Sequence, residues 1–457
     1  MENRDYHRGG IRMNLKSSQN QIFEKFGKNR EQILFVFAVS FCVFTFTLSL
    51  IRAAVTAVTY DEASTYLRYY QEDFFARDVL YWYFSGPGCI ANNHWLNSFL
   101  IWILGRITGI RFSEFMVRLP ILVLYAVYLF AVCRSYKKKV ISFPVLILLV
   151  GNYYLHEFYG LARGYGMANT FVFLFCLSYM NWKQSDFSRM RYLNFAMIWA
   201  VFAVLSNTIV LLLYPAVGIL CLYRLISKKQ FRNFLKNCSI VFAGFLAVTV
   251  LMVIYHFNIS APGKMLYTGG HNFFDNFVKG YIEMFVPGEP MLTIISIAVT
   301  ALVLLAVLRI NKGMKELDFG VMMFLFILTN LIIHPLTAPK GYIATRVLLP
   351  FYAFMVLAVN EIFQTAYSLP LVNGKGIPVI FGKYIAAVLC ALCVCIFVSR
   401  IDLDKTKDWK NDYRYRTLEI GSDITGVPHN ADWGHPSGDF YIKKDEAIVE
   451  EFYSYLR

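Results

Sequence analysis

The sequence has 457 residues, of which 57% are apolar and only 16% are charged. This composition excludes a soluble globular protein of that length and predicts an all-α polytopic membrane protein. The net charge of +14 does not predict a nucleic-acid partner, because the basic residues form short clusters between apolar runs, as the positive-inside rule produces.

The first apolar run, Ile33 to Ile51, follows a basic N-terminal segment. Residues 1–32 carry seven Lys and Arg residues, which places this segment in the cytoplasm. The run is longer than the apolar region of a signal peptide, so we predict a retained span. We divide the chain into a cytoplasmic segment 1–32, a transmembrane core 33–399 with a long first outer loop at 52–112, and a short extracytoplasmic tail 400–457.

A second apolar stretch, Trp95 to Leu104, lies inside the predicted outer loop. At about 1.5 Å per residue it is too short to cross about 30 Å of hydrocarbon. We therefore predict an interfacial helix in the plane of the membrane. The basic cluster at 134–139 supports this prediction, because a cytoplasmic cluster there needs one inward crossing before it.

The remaining apolar runs alternate in predicted direction and bring the total to about eleven spans. An uncharged run at 192–223 would measure about 48 Å as one helix, so we predict a hairpin that turns at Ser206-Asn207-Thr208. The other predicted spans are 116–133, 140–155, 164–182, 238–257, 291–308, 319–333, 346–363 and 384–398.

Two adjacent carboxylates, Asp61 and Glu62, follow the first span by about ten residues. At the membrane surface an acid can be ionised and still lie against a lipid-borne substrate. This position is typical of chemistry on a lipid head group. An alternative is that the pair only caps a short surface helix, and the two residues alone do not decide between these interpretations.

Other charged residues fall near the same predicted outer boundary. Acids can accept a proton, and the planar fork of arginine matches phosphate oxygens, so such a group suits transfer from a lipid phosphate. Each arginine taken singly is equally well a snorkelling residue at a span end. The set comprises Asp61, Glu62, Arg118, Glu157, Arg163, Lys340 and Arg346.

Four motifs in this order resemble a known family. They are Tyr60-Asp61-Glu62, Asn93-His94-Trp95-Leu96-Asn97, the segment 113–120 with Glu114, Arg118 and Pro120, and Ala162-Arg163-Gly164-Tyr165, with a weaker echo around Arg346. The set is similar to membrane glycosyltransferases of the C superfamily (GT-C), in the branch of the protein O-mannosyltransferases and the lipid A aminoarabinose transferases. The chain departs from the family at Trp95-Leu96, where Pro-Pro is common.

The resemblance implies an inverting glycosyltransferase that moves a sugar from a polyprenyl-phosphate donor to an acceptor on the extracytoplasmic face. It would work in the inner membrane of a bacterium or the endoplasmic reticulum of a eukaryote. Asp61 would be the general base with Glu62 in support, and the other roles are donor-phosphate binding by Arg118, Arg163 and Arg346 and substrate contact by His94, Glu157 and Tyr165. The histidines show no paired ligand spacing, so no metal site is predicted, although a divalent metal stays open as a cofactor.

The competing function is a transporter or flippase of a lipid-linked or anionic solute. Transporters usually place ionisable residues near the middle of the membrane, often on broken helices in repeated halves. Here the ionisable residues fall at one predicted surface, and no repeat is visible. A scaffold protein is a third alternative, but it leaves the clustered acids and arginines unexplained.

Overall fold

The computed structural model describes residues 31–54, 62, 65, 94–108, 114–259, 318–337, 345–368, 394–395 and 398. Within these residues the secondary structure is helical and contains no strand, which confirms the all-α prediction. The predicted spans 291–308 and most of 384–398 lie outside the described residues, so the total of about eleven spans stays a prediction.

The described chain forms eleven α-helices, which we number in order. They are α1 (Glu31–Ala54), α2 (Trp95–Thr108), α3 (Glu114–Lys137), α4 (Phe143–Val150), α5 (Tyr153–Tyr159), α6 (Gly164–Gln184), α7 (Met190–Ser206), α8 (Tyr214–Ser227), α9 (Phe231–Ile259), α10 (Asp318–Thr337) and α11 (Tyr352–Ser368). Two 3-10 helices, Thr208–Leu213 and Thr345–Phe351, lead into α8 and α11.

Four described segments are long and apolar enough to cross a membrane. They are Glu31–Ala54, Phe115–Lys137, Thr208–Ser227 and Phe231–His256. The last of these is the least buried, and Ile240 on it is 87% exposed. Long helices that leave large apolar side chains uncovered are those of a membrane-embedded protein.

The segment predicted to be an interfacial helix forms α2, and its length agrees with the prediction that it is too short to cross a bilayer. Its 14 residues extend about 21 Å, which is less than the hydrocarbon thickness of a bilayer. It packs against α3, α6 and α7.

The predicted single span at 140–155 is wrong, because the helix is broken. α4 has only eight residues, or about 12 Å, and ends at Gly151. The side chain of Asn152 accepts a hydrogen bond from the backbone N–H of Leu155 at 3.0 Å and so caps the start of α5. The prediction of a single span used only the number of apolar residues, and that number does not reveal a helix cap inside the run.

Two buried tyrosines bind the carbonyl groups that the end of α4 leaves without helical partners. Tyr128 donates its hydroxyl to the carbonyl of Leu149 at 2.9 Å, and Tyr352 donates to that of Leu148 at 2.5 Å. An unpaired backbone carbonyl costs several kcal/mol in hydrocarbon, on the order of a lost hydrogen bond. The two hydroxyls therefore offset the cost of the break between α4 and α5 inside the protein.

The predicted hairpin at 192–223 is confirmed. α7 ends at Ser206, and the side chain of Asn207 accepts a hydrogen bond from the backbone of Ile209 at 3.1 Å, which caps the following 3-10 helix. Beyond the end of α8, Lys228 pairs at 2.6 Å with Asp186, which precedes α7. The chain therefore returns to the level from which α7 starts.

Ion pairs at one end of the helices show the relative directions of neighbouring helices. Glu31 at the start of α1 pairs with Lys139 after α3 at 2.9 Å, and Lys183 near the end of α6 pairs with Glu361 in α11 at 3.0 Å. We call this the Lys183 end, and we call the opposite end, where Glu62 lies, the Glu62 end. The first pair shows that α1 and α3 run in opposite directions. The side chain of Asn169, near the start of α6, accepts a hydrogen bond from the backbone N–H of Ala353, near the start of α11, at 2.9 Å, so α6 and α11 run in the same direction. Both relations agree with the predicted order of crossings for these helices.

Candidate functional site

Glu62 and Arg118 form an ion pair from which solvent is excluded. The Arg118 Nε donates to Glu62 Oε1 at 2.8 Å and Nη2 donates to Oε2 at 2.7 Å, and both side chains are fully buried. This is the two-pronged geometry in which arginine binds a carboxylate most strongly. Each charge offsets the cost of burying the other.

The same pair connects three segments of the chain. Arg118 Nη1 donates to the carbonyl of Ala53 at 2.9 Å, near the end of α1. The backbone N–H of Ala162 donates to Glu62 Oε1 at 2.7 Å, just before α6. Because Arg118 itself lies in the first turns of α3, the pair joins the adjoining ends of α1, α3 and α6.

This geometry favours an anchoring role for Glu62 and Arg118 over direct contact with a substrate. Three donors bind the Glu62 carboxylate, and all three guanidinium nitrogens of Arg118 donate to protein oxygens. The sequence predicts that both residues lie near one boundary of the membrane, and the structure brings them into direct contact. The phosphate-binding role predicted for Arg118 would require the arginine to exchange these partners for phosphate oxygens.

Several predicted site residues fall outside the described part of the chain. Asp61 and Lys340 are outside it altogether. Glu157 belongs to α5 and Arg346 to the 3-10 helix Thr345–Phe351, but their side chains are not among those described. Their roles stay predictions.

A second group at the Glu62 end contains His94, Arg163 and Tyr165. Each is at most 6% exposed. The His94 ring meets the Tyr165 ring edge-on at 5.0 Å between centroids, and the Arg163 guanidinium lies 5.5 Å from the Tyr165 centroid. The structure therefore brings together three residues that are predicted to contact the substrate or the donor.

Local structure explains why these three residues meet. His94 directly precedes α2, Arg163 occupies the N-cap position of α6, and Tyr165 lies in its first turn. The side chain of Asn97 in α2 donates to the carbonyl of Ala162 at 2.9 Å and fixes α2 against the start of α6.

The environment of His94 fixes its tautomer. Nδ1 lies 3.1 Å from the carbonyl oxygen of Ser206, and since a carbonyl only accepts, Nδ1 carries the proton. Burial, and then the positive charge of Arg163, lower the pKa of His94 to about 3 against the small opposing effect of the Ser206 hydrogen bond. The ring is neutral at pH 7, so Nε2 is a hydrogen-bond acceptor. It is buried and has no hydrogen-bond partner among the described residues.

Gly164 allows this close approach. A Cβ at this position would overlap the carbonyl oxygen of Ser206 and lie 2.7 Å from the His94 ring. Glycine is thus required for α6, α7 and His94 to meet at one point.

Sequence reasoning missed a neighbouring polar contact between α1 and α5. Ser49 Oγ lies 2.8 Å from His156 Nδ1, and both residues are buried. The sequence signal for this contact was a serine inside the first apolar run and a histidine directly after the run at 140–155.

No family model matches this chain, and no curated protein or solved structure matches it. The family resemblance in the motifs thus rests on the residues of this chain alone. Within the described ranges, no group of three or more His, Cys, Asp or Glu residues could hold a metal ion.

A buried charge cluster at the Lys183 end was also missed. Asp318 is fully buried at the start of α10; it accepts from Arg224 Nε at 2.9 Å and lies 3.6 Å from Lys183 Nζ. Glu361 accepts hydrogen bonds from two backbone N–H groups in the first turn of α10 at 2.6 and 3.0 Å. The cluster joins α6, α8, α10 and α11, so its role is to hold these four helices together.

Proposed function

We propose that the protein is a membrane glycosyltransferase that moves a sugar from a polyprenyl-phosphate donor to an acceptor at its Glu62 end. The observation that carries the proposal is the convergence there of Glu62, Arg118, Arg163 and His94, contributed by four separate segments. Their positions at helix ends suit a reaction between a membrane-held lipid phosphate and an acceptor that approaches from water.

In this proposal Glu62 and Arg118 position the reacting groups. The carboxylate of Glu62 is fixed by Arg118 and by the backbone of Ala162. Asp61 directly precedes this anchored residue in the sequence, and it is the general base that removes the proton from the acceptor hydroxyl.

Arg163 supplies positive charge for the departing phosphate. Its guanidinium lies near the His94 and Tyr165 rings and is only 4% exposed, and a charge in such a low-dielectric place acts more strongly than in water. Arg346 is the second phosphate ligand in the proposal. The leaving group is already anionic, so the step needs charge stabilisation more than protonation.

His94 binds a hydroxyl of the sugar or of the acceptor. Its Nε2 is an unprotonated acceptor held in a buried position, and its orientation is fixed by the Ser206 carbonyl. Such a nitrogen selects for a hydroxyl donor, because an apolar group there would leave the acceptor without a partner.

Transport of a lipid-linked solute is the second candidate, because the break between α4 and α5 is a feature of transporters. Short helices that end inside the membrane often surround a transported ion or solute. Here, however, Tyr128 and Tyr352 bind the carbonyls at the break, which favours a structural role for it.

The test is single-turnover transfer from a series of polyprenyl-phosphate sugars by the purified protein in detergent. Asp61→Asn keeps the shape of the side chain but removes the base, so transfer should fall by a factor of about 100 or more while donor binding persists. Arg163→Lys keeps the charge and loses the fork, so donor affinity should fall.

Arg232→Lys is the matched control, since Arg232 is exposed and lies at the opposite end. Full turnover in Asp61→Asn would remove Asp61 as the base. Movement of a lipid-linked sugar across vesicles reconstituted with the protein, without transfer to any acceptor, would replace the proposal by the transport alternative.

A further inference from the structure

A polar groove opens between α7 and α9 at the Lys183 end, far from the residues of the proposed reaction. Its volume is about 690 Å³. Two arginines and three asparagines contribute to its lining: Arg189, Arg191, Asn194, Asn233 and Asn237.

The surroundings of the groove are strongly basic. In the sequence from 184 to 237 the only acid is Asp186, and it pairs with Lys228 at 2.6 Å. The exposed basic residues of this stretch are Arg189, Arg191, Lys228, Lys229, Arg232 and Lys236. An anion therefore meets cations and little competing negative charge.

The asparagine side chains supply hydrogen-bonding groups to the lining of the groove. Asn194 donates to the carbonyl of Asn237 at 3.0 Å, and Asn233 donates to that of Ser188 at 3.3 Å. The other end of the Asn194 amide, Oδ1, is buried and has no hydrogen-bond partner among the described residues. A ligand hydroxyl would satisfy this acceptor.

Large apolar side chains continue the surface beside the groove. Phe195 is 48% exposed and lies one helical turn beyond Arg191, and Ile240 is 87% exposed and lies one helical turn beyond Asn237. A soluble anion would not contact these apolar side chains. Acyl chains do, because they can lie along exposed apolar side chains while a head group occupies the polar groove.

We propose that this groove binds an anionic phospholipid whose head group carries hydroxyls, in the leaflet that faces the Lys183 end. The phosphate lies between Arg189 and Arg191, a head-group hydroxyl donates to Asn194 Oδ1, and the acyl chains pass Phe195 and Ile240. This site is independent of the proposed transfer reaction.

The experiment measures lipid retained by the purified protein in native mass spectrometry after extraction from mixed vesicles of phosphatidylglycerol, phosphatidic acid and phosphatidylcholine. The wild-type protein should retain both anionic lipids over phosphatidylcholine. Because the phosphate lies between these two arginines in the proposed site, Arg189→Gln and Arg191→Gln should each lower that retention about fivefold.

Asn194→Ala provides a second variant that separates the hydroxyl contact from the charge. It should weaken phosphatidylglycerol and leave phosphatidic acid unchanged, since phosphatidic acid has no head-group alcohol. Arg232→Gln and Lys236→Gln are matched controls, because both residues are exposed and basic but do not line the groove.

Equal retention of phosphatidylglycerol and phosphatidylcholine would overturn the proposal. An equal loss in the control variants would also overturn it, since the effect would then be general surface charge. A last measurement adds soluble glycerol phosphate to the lipid-free protein and follows its thermal stability. Stabilisation as large as that given by phosphatidylglycerol would assign the groove to a free phosphate compound.

Discussion

Removing the charge of Glu62 should destabilise the protein more than breaking an exposed ion pair does. Glu62→Gln leaves the Arg118 guanidinium fully buried without its counter-charge, and removal of one partner of such a pair typically costs about 3–5 kcal/mol. A glutamine oxygen in the place of Oε1 can still accept two of the three hydrogen bonds, those from Arg118 Nε and from the backbone N–H of Ala162, so we expect the lower part of that range.

A double-mutant cycle isolates the pair. Arg118→Met alone leaves a buried carboxylate, whereas Glu62→Gln combined with Arg118→Met leaves no buried charge, so the double variant should recover about 2 kcal/mol or more relative to the sum of the single variants. The assay is reversible denaturant unfolding in one detergent, followed by tryptophan fluorescence.

The chain contains a matched control pair. Glu31 and Lys139 lie 2.9 Å apart, but their side chains are 63% and 74% exposed. The same cycle with Glu31→Gln and Lys139→Met should show a coupling of at most about 1 kcal/mol. If Glu62→Gln costs no more than Glu31→Gln, the anchoring role is refuted, and Arg118 returns as a candidate ligand for the donor phosphate.

Three further predictions follow from the Glu62 end and from the topology. Gly164→Ala should cost about 1–3 kcal/mol in thermal unfolding because its Cβ has no room, whereas Gly218→Ala, with nothing within 4 Å of its Cβ, should be neutral or slightly stabilising. The pKa of His94 is about 3 in the folded state and about 6.5 in the unfolded state, so the unfolded state binds the extra proton between these pH values. The free energy of unfolding should therefore fall as the pH drops from about 6.5 to 3, by at most about 1.4 kcal/mol per pH unit, and an unchanged pH slope in a His94→Gln variant would contradict this. A cysteine placed at Asn92 should react with an impermeant reagent in intact cells and one at Lys138 only after permeabilisation, and the reverse pattern would invert the predicted topology.

Local sequence determined the class of fold and one chain break. The apolar content and the lengths of the runs indicate helices in a membrane, because each residue adds a fixed rise along a helix and a bilayer has a fixed thickness. The break after Ser206 was predictable since 32 uncharged residues are too many for one crossing. The motifs also placed Arg118 and Arg163 at the entries to predicted spans and Glu62 in the first outer loop.

Other features depend on residues that are distant in sequence. The partner of Arg118 is Glu62, 56 positions earlier, and a fork that fits phosphate oxygens fits a carboxylate equally well. The tautomer of His94 is set by the Ser206 carbonyl, 112 positions away, and the broken helix at Asn152 is tolerated because Tyr128 and Tyr352 bind its carbonyls. Hydropathy and spacing describe each segment separately, whereas hydrogen bonds and ion pairs in a low-dielectric interior are decided by which segments pack together.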